Sequence, residues 1–359
     1  MQQYERIDCN TLHNFIKEIL IRVGMSPEHA DIETKVLIWA DLRGEESHGV
    51  QVIPFYIESI RQGYININPR ISIIRETPAT LLIDADYALG PIVTIFAMER
   101  VMEKARNTGI GWAFIRNTNH QGAMGYYPNI AATNGMIGLA WACSRANMAP
   151  FGARSAGTSN NPLAIAVPAK ERHPLVLDMS TSIAAAAKII MAREKGIAIP
   201  SDWALDKNGK PTTDPFQADM LLPFAGPKGS GLSIMLECMT SVMVDGPKLE
   251  PVLQGDEEPT RLSIVTQKMR SHVQNSVVAA IDIGTFIDVE HYKEHIDNLI
   301  DGLKNLPPAE GCDEVLVPGE RGWKTYDERV RNGITLSQKV TLILKDIAGK
   351  LGIESPFAA

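Results

Sequence analysis

No apolar run in this 359-residue chain approaches the ~18–20 residues of a membrane span, so no transmembrane helix and no membrane partner are expected. Cysteine is scarce. Cys9, Cys143, Cys238 and Cys312 lie far apart and form no CxxC pair, which argues against a disulfide framework and for a reducing compartment. A basic excess is also missing. Lys plus Arg number 35 against 42 Asp plus Glu, a net charge of -7, so a polyanion such as DNA is not expected as the main ligand. The opening MQQYERIDCN is polar and carries acid, unlike a signal or transit peptide, and a cytoplasmic protein is expected. Two nucleotide signatures are absent as well. No GxGxxG occurs, since Gly109-Ile110-Gly111 precedes a strand and lacks the third glycine, and no GxxxxGK[ST] occurs. Neither a Rossmann nor a P-loop reading has support.

What is present is an ordinary folded composition, 45% apolar and 21% charged, long enough for a large core and about two domains. Asn10 or Thr11 can cap a first helix whose Leu12, Phe15, Ile16 and Ile19 fall at helical spacing, with Gly24 to end it. Ser26-Pro27 opens a second helix that runs toward Gly44. After EESHG, a third helix turns Ile53, Tyr56, Ile57 and Ile60 inward and stops at Gly63. Short strands at 71–74 and 81–83, a helix over about 91–106, and a strand over 110–115 follow. The pattern continues with a loop over 117–122, a helix near 128–132 and a strand over 137–142. A Gly/Ser/Asn-rich loop spans 147–161, a length often functional inside a compact domain. Strands at 163–167 and 175–177 and a helix over 182–194 come next, then GPKGSG opens a buried helix over 232–244. The tail over 330–351 reads as helical. The class is α/β or α+β with a helical end domain.

Several residues are candidates for chemistry. His48 in RGEESHGV and His120 in NTNHQG occupy loops held by rigid elements, where imidazole serves as acid or base near neutral pH. Either could instead cap a neighbouring helix. Lys228, among glycines at a helix start, suits an anion such as a pyrophosphate or carboxylate, with an exposed lysine on a plain glycine turn as the alternative. Asp178 ends a buried strand, where it could meet a ribose, steer an imidazole or cap the next helix. His291-Tyr292-Lys293-Glu294-His295 matches HxxEH literally, but its histidines flank the apolar stripe toward solvent, so a solvated helix face is expected and no metal site. Trp112, Trp141 and Trp203 read as core.

In order, ADLRGEESHG, RNTNHQGAMGYY, PFGARSAGTSNNPLAIAVP, LVLDMSTS, SDWALDKNGKPTTDPF and GPKGSGL resemble the type-2 malate/L-lactate dehydrogenase family. That family includes ureidoglycolate and sulfolactate dehydrogenases, diketogulonate reductase and piperideine-carboxylate reductase. The resemblance implies an NAD(P)-dependent oxidoreductase acting on a small-molecule substrate and working as a homodimer. Its fold would be non-Rossmann, with a mixed, largely antiparallel sheet. Residues 76–319 would bind NAD(P) and substrate, and residues 1–75 with 320–359 would form a helical domain. Carried over by motif, His48 and His120 are the acid/base candidates, with Ser47 or Asn119 helping to polarise the substrate oxygen. Ser144, Asp178, Met179, Ser180, Lys228, Gly229 and Gly311 are the implied cofactor contacts. The cofactor is NAD or NADP, with a lean to NAD. Arg172 and His173 are the cations that could meet a 2'-phosphate.

Two positions depart from the family pattern. Val52 stands where relatives often carry an arginine four residues after the SHG histidine, leaving Arg43, Arg116 or Arg145 to meet a substrate carboxylate. Ser159-Asn160-Asn161-Pro162 replaces the usual GTNP. Hydride transfer at C2 of a 2-hydroxy or 2-oxo acid is the leading expectation. Reduction of a cyclic imine and a non-catalytic ligand-binding role are the alternatives.

Overall fold

The computed structural model describes residues 4–245 and 273–357. The chain begins with strand β1 (Tyr4–Ile7), helix α1 (Cys9–Arg22), helix α2 (Pro27–Leu42) and helix α3 (Ile53–Arg61). Ser26 caps α2 as expected, accepting the His29 N–H at 3.2 Å. The cap of α1 is Asp8 rather than Asn10 or Thr11. Its carboxylate accepts both of their N–H groups, at 3.0 and 2.9 Å, and a negative charge suits a helix N-terminus better than an amide or hydroxyl.

The middle of the chain forms strands β2 (Ser72–Glu76) and β3 (Thr80–Asp84), helix α4 (Gly90–Thr108), strand β4 (Ile110–Thr118), helix α5 (Tyr126–Thr133) and strand β5 (Met136–Cys143). Strands β6 (Leu163–Val167) and β7 (Leu175–Met179), helix α6 (Ala186–Lys195), strands β8 (Ala204–Leu205) and β9 (Met220–Leu221) and helix α7 (Pro227–Cys238) follow. Strand β10 (Gln274–Asp282), helices α8 (Val289–Lys304) and α9 (Glu320–Asn332), strand β11 (Ile334–Ser337) and helix α10 (Gln338–Leu351) complete the described chain.

Seven strands form one sheet in the order β2-β3-β4-β10-β5-β6-β7. Only β3 and β4 run parallel, linked by α4; every other pair is antiparallel. The sheet is therefore mixed and largely antiparallel. Its central strand β10 reads as a continuous small-apolar run because it lies between β4 and β5 with both faces covered.

A second core lies in the helices. Leu12, Ile16, Leu37, Ile53 and Tyr56 pack with Ile334, Leu344 and Phe357 from the other end of the chain. The tail is not one helix. β11 interrupts it and pairs antiparallel with β1, Ile7 opposite Ile334, so the two chain ends are joined by a ladder rather than by helix packing alone. The β-branched Ile334 and Thr335 suit that ladder.

Three further boundaries differ from expectation. Asn117 and Thr118 belong to β4, although Asn117 adopts a left-handed φ of 56°. Residues 182–185 stay outside α6, because the Ser182 hydroxyl bonds to the Ala184 carbonyl at 2.8 Å and competes with the helix. Gly229 and Gly231 of GPKGSG lie inside α7, and Gly226 caps it; the helix ends at Cys238 and leaves Ile234 and Met235 exposed.

Glu33 on α2 is fully buried and neither carboxyl oxygen has a hydrogen-bond partner. Burial pushes its carboxyl up from 4.5 to about 8. The folded chain thus keeps a proton that the unfolded chain releases, so stability falls as pH rises from 4.5 toward about 8. Glu33→Gln is expected to melt at a higher temperature than wild type at pH 9 and to match it at pH 4. Melting curves across that range check this.

Candidate active site

The SHG segment is two 3-10 turns, Glu46–His48 and Val50–Val52, set between α2 and α3. Asp41, buried near the end of α2, holds them: its carboxylate accepts the Val50 N–H at 2.8 Å. A Cβ on Gly49 would sit 1.9 Å from the Asp41 Oδ1, so only glycine permits this approach. Burial raises the Asp41 carboxyl to about 7 against the pull of the Val50 N–H. Arg329 of α9 pairs with Glu46 at 2.6 Å and donates to the Asp41 carbonyl, so the turns carrying His48 are anchored from both ends of the chain.

The His120 loop is anchored as firmly. The Asn119 N–H donates to Ala88 at 2.9 Å, and its side-chain amide donates to the carbonyls of Tyr64 at 3.0 Å and Tyr87 at 2.7 Å. Asn119 therefore spends its donors on the backbone. A groove of about 510 Å³, lined by Tyr64, Asn66, Ile67 and Tyr87 among others, opens beside this clip; it contains neither histidine. The Gly90 N–H reaches the His120 carbonyl at 3.0 Å, and a Cβ there would lie 2.4 Å from the Gln121 Cα. Tyr127 donates its hydroxyl to the Gln121 carbonyl.

These mounts bring the two histidines together. Their rings are parallel within 8°, with centroids 5.7 Å apart. The Ser47 Oγ lies 3.0 Å from the His48 Nδ1, and the Tyr56 hydroxyl lies 2.8 Å from the His120 Nδ1. Burial lowers the His48 pKa, favouring its neutral form.

Asp178, on the outermost strand β7, accepts the Gly125 N–H at 2.6 Å and so ties the sheet to the loop after His120. Water reaches part of this residue, yet the protein crowded around its carboxyl raises its pKa, against Gly125 and the charge of Arg43. Glu45 is raised by burial and by Asp178, and Arg43 lowers it. Arg43 itself is enclosed. Its guanidinium lies 4.7 Å from the Trp39 ring and 4.5 Å from the Trp323 ring, with Nε 3.2 Å from Glu45. It faces these carboxylates rather than open solvent. Of the other cations, Arg116 pairs with Asp84 at 2.8 Å and Arg145 is half-buried directly after Ser144. Val52 closes the second 3-10 turn and packs on the helical core.

Several of the residues expected to meet the cofactor are tied to one another by hydrogen bonds. The Ser144 and Ser159 hydroxyls are 2.9 Å apart, and the Ser233 hydroxyl of α7 donates to the Ser159 carbonyl at 2.8 Å. Met179 ends β7, and Ser180 follows it, its hydroxyl 2.9 Å from that of Ser182. The Thr181 N–H meets Asn160 at 2.8 Å, and Phe224 links Thr181 to Gly229 through two bonds of 3.0 Å. The first N–H groups of α7 are already bonded to Phe224, Ala225 and Gly226 carbonyls, so this end offers the exposed Lys228 ammonium more than bare N–H donors. Lys228 has no carboxylate partner among the described residues. Gly311 stands apart, exposed between α8 and α9 with open space around it.

His291 and His295 are exposed on α8, and Glu294 pairs with Lys170. Among the described residues no group of His, Cys, Asp or Glu is placed to hold a metal ion, and no helix is long and apolar enough to cross a membrane. The residues missed by sequence reasoning are the supports, Asp41 and above all Tyr56. Tyr56 was legible only as an inward position of α3, although a fully buried tyrosine needs a partner for its hydroxyl.

Residues 7–345 match the profile of malate/L-lactate dehydrogenase. The chain is 37% identical to an L-sulfolactate dehydrogenase of Methanocaldococcus jannaschii, covering 94% of this chain and 95% of that one. It is 33% identical to an NAD(+) ureidoglycolate dehydrogenase of Escherichia coli, covering 88% of each. The solved structure of a malate dehydrogenase from Pyrococcus horikoshii superposes with a TM-score of 0.86 at 33% identity, over 99% of this chain and 98% of that one. Fold and relatives together define an oxidoreductase acting on CH–OH groups. The chain belongs to the malate/L-lactate dehydrogenase family.

Gly90→Ala would drive a methyl into the backbone of the His120 loop. It is expected to cost about 1–3 kcal/mol of stability and to lower kcat/KM by at least ~10-fold, as displaced catalytic geometry does. Calorimetry and steady-state rates check both.

Proposed function

We propose that this protein transfers a hydride between a nicotinamide cofactor and C2 of a small 2-hydroxy or 2-oxo acid, with His48 and His120 as the acid/base pair. The observation that carries this reading is the parallel pair of imidazoles at the meeting of the helical layer and the sheet, joined through Gly125 and Asp178 to the Ser144–Lys228 region. The donor set there fits a dinucleotide. Hydroxyls of Ser144, Ser159 and Ser180 suit ribose and phosphate oxygens, and the Lys228 ammonium suits a pyrophosphate. When bound, the nicotinamide supplies hydride chemistry, and the protein supplies proton, geometry and charge. In oxidation one imidazole takes the proton of the substrate hydroxyl; in reduction it returns that proton to the developing alkoxide. The second imidazole polarises the same oxygen. Asn119, whose amide is committed to two carbonyls, acts by holding the loop.

NAD is favoured over NADP. Arg172 is paired with Asp301, and His173 lies 3.1 Å from Asp327 and stacks on Trp323, so both candidate 2'-phosphate cations are engaged elsewhere. The same reading carries a homodimer, for which exposed Met235, Val242 and Met243 offer an apolar face.

Absorbance at the reduced-nicotinamide band, with NAD or NADP and a panel of hydroxy and oxo acids, tests the proposal. His48→Ala and His120→Ala are each expected to lower kcat by roughly 100-fold while keeping the cofactor-induced thermal shift. Cofactor binding without turnover of any acid would overturn it. Val52 lies one helical turn before Tyr56 and leaves no cation at that place. Val52→Arg is expected to raise kcat/KM for small 2-oxo acids about 10-fold, the worth of one charged hydrogen bond; an unchanged value in the kinetic comparison would count against this view of specificity.

A further inference from the structure

Helix α7 carries Lys228 in its first turn and the fully buried Ser233 further along. Ser233 belongs to a chain of hydrogen bonds that crosses from α7 to the end of β5. The Asn161 amide nitrogen donates to the Ser233 carbonyl at 2.9 Å and to its hydroxyl at 3.1 Å. That hydroxyl donates to the Ser159 carbonyl at 2.8 Å, and the Ser159 hydroxyl lies 2.9 Å from that of Ser144. Chemistry fixes the directions. A carbonyl only accepts, so the nitrogen of the Asn161 amide must face Ser233, and the Ser233 hydroxyl hydrogen must point to Ser159.

Asn161 is held in an unfavourable state. It is fully buried, and it takes a left-handed φ of 23° directly before Pro162. Its Oδ1 has no hydrogen-bond partner, so the two donations to Ser233 are what hold the side chain. Strained residues of this kind persist where the surroundings over-determine them, and they cluster at ligand clamps and active sites. The start of α7 closes on the same loop. The Phe151 N–H donates to the Ser230 hydroxyl at 3.0 Å, and a Cβ on Gly229 would lie 2.8 Å from the Thr181 carbonyl oxygen.

We propose that Asn161 is a positioning residue for cofactor binding: it fixes α7 against the loop after β5, so that Lys228 stands where a dinucleotide's phosphates require it. The proposal rests on the reading of Lys228 as a cofactor contact. A lysine ammonium is a point charge on a flexible stem, so its worth to a phosphate depends on where its helix stands. Ser144 and Ser159 give that helix a fixed reference, and Asn161 and Ser233 join the two. A site assembled before the cofactor arrives spends less of the binding energy on ordering the protein.

The test is a double-mutant cycle on the full-length protein, read by fluorescence titration with NADH or NADPH, whichever the wild type holds more tightly. Asn161→Gly removes the amide, and glycine suits the positive φ, so backbone strain does not add to the loss. Melting curves check folding. Should Asn161→Gly fail to fold, Ser233→Ala takes its place, since it removes the hydroxyl that links Asn161 to Ser159. Lys228→Ala alone is expected to weaken binding roughly 10- to 100-fold, and Asn161→Gly alone roughly 5- to 10-fold. The double variant is expected to bind within ~2-fold of Lys228→Ala, because a helix without its cation has nothing left to position. Losses that multiply overturn the proposal, since a merely structural residue would act independently of Lys228. An Asn161→Gly protein that binds as tightly as wild type overturns it too. If Lys228→Ala binds as tightly as wild type, or the wild type holds neither cofactor, the reading of Lys228 fails and the proposal falls with it.

Discussion

The guanidinium of Arg43 between Trp39 and Trp323 is the contact on which the site's geometry depends. It joins α2 of the N-terminal segment to α9 near the other end of the chain. A desolvated cation over an aromatic ring contributes about 2 kcal/mol or more, and here two rings share one cation. Its charge also reaches Asp178 on the sheet and Glu45 beside the SHG turns. α9 extends the clamp: the Trp323 indole donates to the Pro174 carbonyl at 2.8 Å, and Arg329 holds the turns that carry His48. Removing such a buried cation would strand two carboxylates, a larger penalty than the loss of any single exposed ion pair.

Around that clamp, each histidine is mounted on a different body. His48 hangs from the helical layer through Asp41. His120 extends from β4 and is closed down by Gly90 and Asn119. Their stacking is therefore a result of how helices and sheet meet, and Asp178 and Arg43 set that meeting. Ser144 and Ser159 are tied to α7 through Ser233, and Asn160 ties the same loop to Thr181 beyond β7.

Much of this was legible in the sequence. Helical spacing and the Ser26-Pro27 cap placed α2, the Gly63 stop placed the end of α3, and branched apolar runs placed most strands. The six ordered motifs singled out both histidines, Asp178 and Lys228 as candidates. What was not legible depends on tertiary partners. A strand of four residues such as β11 has no periodicity to separate it from the helices on either side; it exists because β1 offers it a ladder. Arg43 reads as a substrate cation until Trp323, far away in sequence, is seen to cover it. Asn119 reads as a polarising donor until the carbonyls of Tyr64 and Tyr87 are found on its amide. Tyr56 reads as core, since an inward aromatic at helical spacing looks the same whether its hydroxyl meets an imidazole or not.

The central claim is that His48 and His120 together hold the reacting oxygen of the substrate as the acid/base pair. A crystal structure of the protein with nicotinamide cofactor and a hydroxy acid that it turns over tests this most directly. The account predicts the substrate's C2 oxygen within hydrogen-bonding distance of the imidazoles of both His48 and His120, about 2.6–3.2 Å from each. A substrate oxygen bound to His48 alone, with His120 turned away, would contradict it.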